Sequence, residues 1–229
     1  MKLSLPLWLL LLLSSTALRA ADPMTIRLTI EPDLRNGQRL YEICASCHLP
    51  EGWGSNDGAY PQIAGQHRQV LFDQLMRIRS GERDNPAMYP FVQERTLGAG
   101  YQPLVDVVSY ISRLPMHPRH QKGPWREHRK EYKEGARLYR QNCAQCHGPN
   151  GEGNNEGAIP MLRGQHFPYL MRQVGLIRSG LRKVNPTMTA ILGSLDEAQL
   201  KKVINFVSWQ PVPKDKLAPS LDWRNTDFN

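Results

Sequence analysis

The chain has 229 residues, enough for one large domain or two small ones. Its formal net charge is +8, but the basic residues are scattered, which argues against the clustered footprint of a nucleic-acid-binding protein. Residues 22–114 carry a net charge of −2 and residues 135–229 one of +5. This asymmetry favours steering toward charged protein partners.

The first 20 residues have the pattern of an export signal. Lys2 precedes an apolar run from Leu3 to Leu13, and small residues follow as far as Ala20. A retained membrane anchor is the alternative, but this run contains Pro6 and is well short of the roughly 20 residues that a membrane span needs. We expect cleavage near Ala20 and a soluble mature protein in the periplasm of a Gram-negative bacterium, with membrane association left open.

Two pentapeptides hold all four cysteines of the chain. Cys44 to His48 read Cys-Ala-Ser-Cys-His, and Cys143 to His147 read Cys-Ala-Gln-Cys-His. A thioredoxin-like dithiol, half of a zinc site and disulfides are the alternatives. The adjacent histidine favours c-type haem attachment, because two thiols about one helical turn apart each add to one vinyl group and the histidine then reaches the iron. The sequence thus predicts two covalently bound haem c groups.

Several further segments recur about 99 residues apart. Gly37-Gln38-Arg39-Leu40-Tyr41 returns as Gly135-Ala136-Arg137-Leu138-Tyr139. Each copy spans roughly 90 residues, and two copies are too few for a solenoid. The predicted division is a signal peptide at 1–20, domain 1 at 21–114, a basic linker at 115–134, domain 2 at 135–210 and a tail at 211–229.

Each copy is predicted to be helical. In the first copy the apolar periodicity predicts helices at 33–43, 67–80 and 104–114. In the second copy, Ser194 and Glu197 form a candidate capping box ahead of the last helix.

The linker and the tail contain few regular signals. Prolines and glycines break the linker, so we expect His117, His120 and His128 to lie on a solvated, charged connector, with a distal haem ligand from among them as the minority alternative. The tail is Pro-rich and polar, and we expect an extended surface segment that serves in docking.

The ordered motifs resemble a known family. Pro61 to His67 recurs as Pro160 to His166, a Ser-Gly pair follows in each copy, and Asn85-Pro86-Ala87-Met88 recurs as Asn185-Pro186-Thr187-Met188. Across residues 33–210 this set is similar to the class I dihaem cytochromes c, specifically cytochrome c4. The resemblance implies an all-α protein of two tandem class I cytochrome c domains, each wrapped around one haem and related by approximate two-fold symmetry.

The resemblance also implies roles for individual residues. The haem thioethers would come from Cys44, Cys47, Cys143 and Cys146; the axial iron ligands would be His48 with Met88 and His147 with Met188; and the carbonyls of Pro61 and Pro160 would accept hydrogen bonds from the ligand histidines. A His/Met pair raises the reduction potential. His67 and His166 are rival distal ligands, although a capping role on the surface fits their position better.

Six-coordinate iron leaves no position for a substrate, so the predicted function is electron transfer between a donor and an acceptor protein, such as a membrane-bound oxidase or a dehydrogenase. A dihaem enzyme of the peroxidase or thiosulfate-oxidising type is one alternative. An electron-transfer subunit of a larger oxidoreductase complex is another. The first copy departs from the family pattern in having Leu49 where the second has Gly148.

Overall fold

The two halves of the chain repeat one helical plan. A computed structural model describes residues 30–228, so the predicted signal peptide and its cleavage point lie outside the described residues. Ten α-helices occur within this range: α1 Leu34–His48, α2 Arg68–Arg79, α3 Tyr89–Val92, α4 Glu94–Leu97, α5 Gln102–Ile111, α6 Lys130–Asn142, α7 Ala144–His147, α8 Phe167–Arg178, α9 Pro186–Ser194 and α10 Glu197–Ser208. None of them is long and apolar enough to cross a membrane.

In the first half, α1 crosses the closing helix α5. Asp33 caps α1 by accepting bonds from the N–H groups of its first turn. Gly37 lets the helices approach closely, because a β carbon there would collide with the carbonyl of Asp106. Tyr41 is fully buried and packs on Tyr110 with ring centroids 5.4 Å apart. The first and last helices of this half are therefore in direct contact.

The second half repeats this crossing with α6 and α10. A β carbon on Gly135 would collide with the carbonyl of Lys202, and Tyr139 packs on Phe206 at 5.3 Å. Each crossing belongs to its own buried apolar cluster. Fully burying one large apolar side chain contributes about 1.5–3 kcal/mol, so each half has the means to hold a core of its own. The predicted all-α character of both copies is confirmed in the described residues.

The capping box predicted at Ser194 is wrong by two residues. Asp196 is the N-cap of α10, and its side chain and that of Gln199 bond reciprocally to the backbone. Ser194 ends α9 instead and donates its hydroxyl to the carbonyl of Ile191. Packing decides where α10 begins, because Leu195, just before its N-cap, is 6% exposed and belongs to the second apolar cluster.

The connector between the halves is packed against them, which corrects the expectation of a solvated linker. His120 is 6% exposed and its Nε2 donates to the carbonyl of Ser208 at 2.8 Å. His117 is half-buried, with its ring 4.6 Å from that of Trp53. Of the three connector histidines only His128 is exposed. The last part of the connector is already helical, since α6 begins at Lys130.

The tail also differs from the expected extended surface segment. After α10 the chain runs back to the first half, where Leu217 forms a β-bridge with Met116 and Ala218 enters the first apolar cluster. Asn225 is 5% exposed and donates to the carbonyl of Pro50 and to the Tyr110 hydroxyl, both at 2.8 Å. The tail therefore fastens the second half to the first.

Candidate haem sites

The first pentapeptide forms the last turns of α1. Cys44 and Cys47 are three positions apart on this helix, and both thiols are free. Desolvation raises the pKa of Cys44 to about 12, so its thiol is protonated at neutral pH. Two free thiols about one turn apart, ahead of a histidine, form the donor set that thioether attachment of haem requires.

His48 is held by the loop that follows it. The imidazole is 6% exposed, and its Nδ1 lies 3.0 Å from the carbonyl oxygen of Pro61. Burial lowers the pKa of His48, and the bond to Pro61 opposes that effect. The ring is thus neutral with its proton on Nδ1, which leaves Nε2 as the nitrogen available for iron.

The second pentapeptide has the same contacts on a slightly different backbone. Cys143 separates α6 from α7 rather than lying within one continuous helix. Nδ1 of His147 lies 3.1 Å from the carbonyl oxygen of Pro160, and burial again lowers the histidine pKa. Burial raises the pKa of the Cys143 thiol to about 11. Both donor sets therefore fit haem c, and both show the histidine–proline bond that the resemblance implies.

Two glycines that sequence reasoning did not single out shape these loops. Gly54 donates its N–H to the carbonyl of His48, and Gly153 does the same for His147. Both have positive φ, and a β carbon at Gly54 would collide with the backbone of Pro61. Each glycine thus admits the carbonyl that orients the histidine. The sequence signal that could have identified these two glycines is their recurrence 99 residues apart.

The candidate methionines lie in different local structures. Met88 is half-buried at the N-cap of the short helix α3, whereas Met188 lies in the first turn of α9 and packs against the second apolar cluster. An Asn-Pro pair precedes both methionines, but in the second half Pro186 is already the first residue of α9, and Asn185 caps that helix by accepting from the N–H of Thr187. Iron ligation by Met88 and Met188 stays a prediction.

The expected surface role of His67 and His166 is wrong. Neither ring makes a capping bond, although both residues occupy N-cap positions. His166 is 1% exposed; its Nδ1 accepts from the N–H of Gln121, and its Nε2 donates to the carbonyl of Trp53 at 2.7 Å. Nε2 of His67 bonds to the carbonyl of Glu152 at 2.8 Å. These bonds cross between the halves in a symmetrical pair.

Comparisons with known proteins agree with this geometry. A family model described as Cytochrome c matches residues 132–211. The chain is 30% identical to cytochrome c4 of Stutzerimonas stutzeri over 66% of this chain and 74% of that protein. It is 28% identical to the thiosulfate dehydrogenase electron acceptor of Stutzerimonas stutzeri strain A1501, over 81% and 91% of the two chains. The crystal structure of reduced recombinant cytochrome c4 from Pseudomonas stutzeri matches with a TM-score of 0.63 at 24% identity, covering 77% of this chain and 98% of that one.

Two helical domains, each presenting two thiols and a buried neutral histidine at the haem-attachment spacing, define a tandem c-type cytochrome of class I. Together with the relatives, this places the chain in the cytochrome c4 family. It is therefore a dihaem electron-transfer protein with two covalently bound haem c groups.

Proposed function

We propose that the protein carries electrons between partner proteins in the periplasm, with one iron bound by His48 and Met88 and the other by His147 and Met188. The observation that carries this proposal is the paired histidine–proline contact, which fixes both rings with Nε2 free. The haem groups supply reversible one-electron exchange at iron when bound.

The residues of the chain would attach the haem groups and hold the iron ligands in place. The two thiols of each pentapeptide anchor the porphyrin, and the proline carbonyl holds the proton at Nδ1 and so fixes the plane of the imidazole. Met88 and Met188 would each supply a thioether as the second protein ligand of an iron, a ligand type that favours the ferrous state. An iron held by both a histidine and a methionine would have no position open to a substrate, which supports a carrier rather than an enzyme.

The partners are proposed by class. A relative of this chain is named as the electron acceptor of a thiosulfate dehydrogenase, which supports a periplasmic dehydrogenase as donor. The net charges of −2 on residues 22–114 and +5 on residues 135–229 support separate docking surfaces for donor and acceptor. We also retain the division into domains at 21–114 and 135–210, with export directed by residues 1–20.

The proposal is tested on the purified holoprotein by optical spectra and a redox titration. Wild type is expected to be low-spin in both redox states, with a methionine-to-iron charge-transfer band when oxidised. Met88→Ala and Met188→Ala should each remove about half of that band and lower one reduction potential. Met171→Leu is the matched control, since Met171 packs against the second cluster and has no proposed ligand role.

High-spin iron in the wild-type protein would contradict the proposal, as would a full band in either alanine variant. Turnover of peroxide or thiosulfate by the pure protein would instead support the dihaem enzyme.

A further inference from the structure

The peptide bond between Pro61 and Gln62 is hydrogen-bonded at both ends. Its carbonyl oxygen lies 3.0 Å from Nδ1 of His48. The N–H of the same amide donates to Oε1 of Gln165, also at 3.0 Å. Gln165 belongs to the other domain, 103 residues away. One amide thus joins the histidine of domain 1 to a side chain of domain 2.

The same arrangement occurs in reverse around Pro160. The carbonyl of Pro160 lies 3.1 Å from Nδ1 of His147, and the N–H of Met161 donates to Oε1 of Gln66 at 3.0 Å. Each glutamine is also anchored through its Nε2, Gln165 to the carbonyl of Gln62 at 2.7 Å and Gln66 to the carbonyl of Met161 at 2.9 Å. The two glutamines therefore hold equivalent amides in opposite domains.

The bonds of Gln165 are shielded from water, whereas Gln66 is half-buried. Gln62 and Met161 are each 3% exposed, and Gln165 is 8% exposed. Hydrogen bonds in series polarise one another, and they are stronger where the local dielectric is low. Donation from the Gln62 N–H makes the Pro61 carbonyl a stronger acceptor, which shifts electron density onto the imidazole of His48. A more electron-rich ligand favours ferric iron and lowers the reduction potential.

We propose that Gln165 tunes the iron site of His48 and that Gln66 tunes the iron site of His147, each acting as a positioning residue across the domain interface. The proposal rests on the proposed ligation of iron by these two histidines. It makes each reduction potential depend on contact with the other domain.

A structural role for the glutamines would be to hold the domains together, and the side chain of Gln62 provides the control for that role. It bridges the same interface, donating to the carbonyl of Gly164 and accepting from the N–H of His117. Gln62→Met removes these two bonds, keeps the backbone N–H that donates to Gln165, and places there the residue found at position 161. It should weaken the interface between the domains while leaving intact the bonds that join Gln165, the Pro61–Gln62 amide and His48.

The experiment is an NMR-monitored redox titration of the holoprotein, which assigns each potential to its own haem. Gln165→Met is expected to raise the potential of the domain 1 haem more than that of domain 2, and Gln66→Met to do the opposite. The Nδ1 proton of His48 in reduced Gln165→Met should move upfield and exchange faster with solvent. Gln62→Met should shift neither haem potential selectively, because the backbone N–H that donates to Gln165 is unchanged. If Gln165→Met does not fold, Gln165→Asn withdraws the acceptor while keeping the amide.

Equal shifts of both potentials, a shift confined to the glutamine's own domain, or unchanged potentials in folded variants would overturn the inference. Failure of the histidine ligation itself would be visible earlier and separately, as an altered spin state in the wild-type protein.

Discussion

Leu49 occupies a backbone conformation that normally belongs to glycine. It follows His48 directly, with φ at 67° and ψ at 157°, while Gly148 has φ at 78° in the equivalent place. The Tyr41 hydroxyl donates to the Leu49 carbonyl at 2.7 Å and holds this turn. A non-glycine residue in this region carries a strain of about 1–3 kcal/mol. The departure seen in the sequence is thus a strained turn beside a proposed iron ligand.

Leu49→Gly should therefore stabilise the protein. The side chain is 44% exposed, so little packing is lost, and relief of strain should exceed the added freedom of the unfolded chain by about 1 kcal/mol. The free energy of unfolding in urea measures this. The reverse change in domain 2, Gly148→Leu, should destabilise, and a loss of stability in Leu49→Gly would show that the leucine side chain matters more than its backbone.

Because His120 is buried, we expect the free energy of unfolding to depend on pH. Burial is the largest cause that lowers its pKa from 6.5 to about 4, with smaller contributions from Lys122, His166 and His117. Between these pH values the unfolded chain binds more protons than the folded one, so stability falls as pH decreases. The loss from this residue should reach about 3 kcal/mol near pH 4.

The matched variant for this prediction is His120→Gln, which keeps a donor for the Ser208 carbonyl but does not titrate. The difference in unfolding free energy between wild type and variant should widen steadily from pH 6.5 to pH 4. Parallel profiles would mean that His120 does not titrate in this range.

At the scale of elements, the helix crossings depend on glycine at one position of each first helix. Gly135→Ala places a β carbon against the carbonyl of Lys202, and overpacking of this kind costs about 1–3 kcal/mol. Thermal unfolding should show the loss. Gly175→Ala is the control, because this exposed glycine of α8 has open space where a β carbon would lie; there, alanine should stabilise the helix by up to about 1 kcal/mol. Equal effects at both sites would refute the close-contact argument.

The elements could be predicted where their signals are local. The haem-attachment pentapeptides and the helices follow from short motifs and apolar periodicity. The cap of α10 was misplaced because Ser194 with Glu197 and Asp196 with Gln199 both fit the capping pattern, and only the burial of Leu195 decides between them.

The interface could not be predicted for a different reason. The bond from Gln62 to Gln165 spans 103 residues, and neither composition nor periodicity reports a polar contact over such a separation. The recurring Gly-Gln-His triplet was visible in the sequence, but a helix start explained it equally well. The glutamines of this triplet bond to backbone amides of the other domain, so only the packing of the two domains identifies their partners.

At the scale of the whole molecule, the tail that follows the second domain packs against the first domain. Asn225→Ala should lower the free energy of unfolding by about 2 kcal/mol, because it leaves the carbonyl of half-buried Pro50 and the buried end of the Tyr110 side chain without the Asn225 donor. Arg224→Ala is the neighbouring control; its side chain is 64% exposed, and its Nε lies 4.0 Å from a carboxylate oxygen of Glu51. That substitution should change stability by less than about 0.5 kcal/mol. If both variants unfold alike, the tail does not contribute through Asn225.

The path of the tail also sets an order of events during biosynthesis. Ala218 and Asn225 complete the packing around the first domain, yet they follow the whole second domain in the sequence. The first domain is therefore synthesised before the tail residues that complete its packing, with the whole second domain between them. We therefore expect haem to be attached at Cys44 and Cys47 before Asn225 docks on Pro50 and Tyr110.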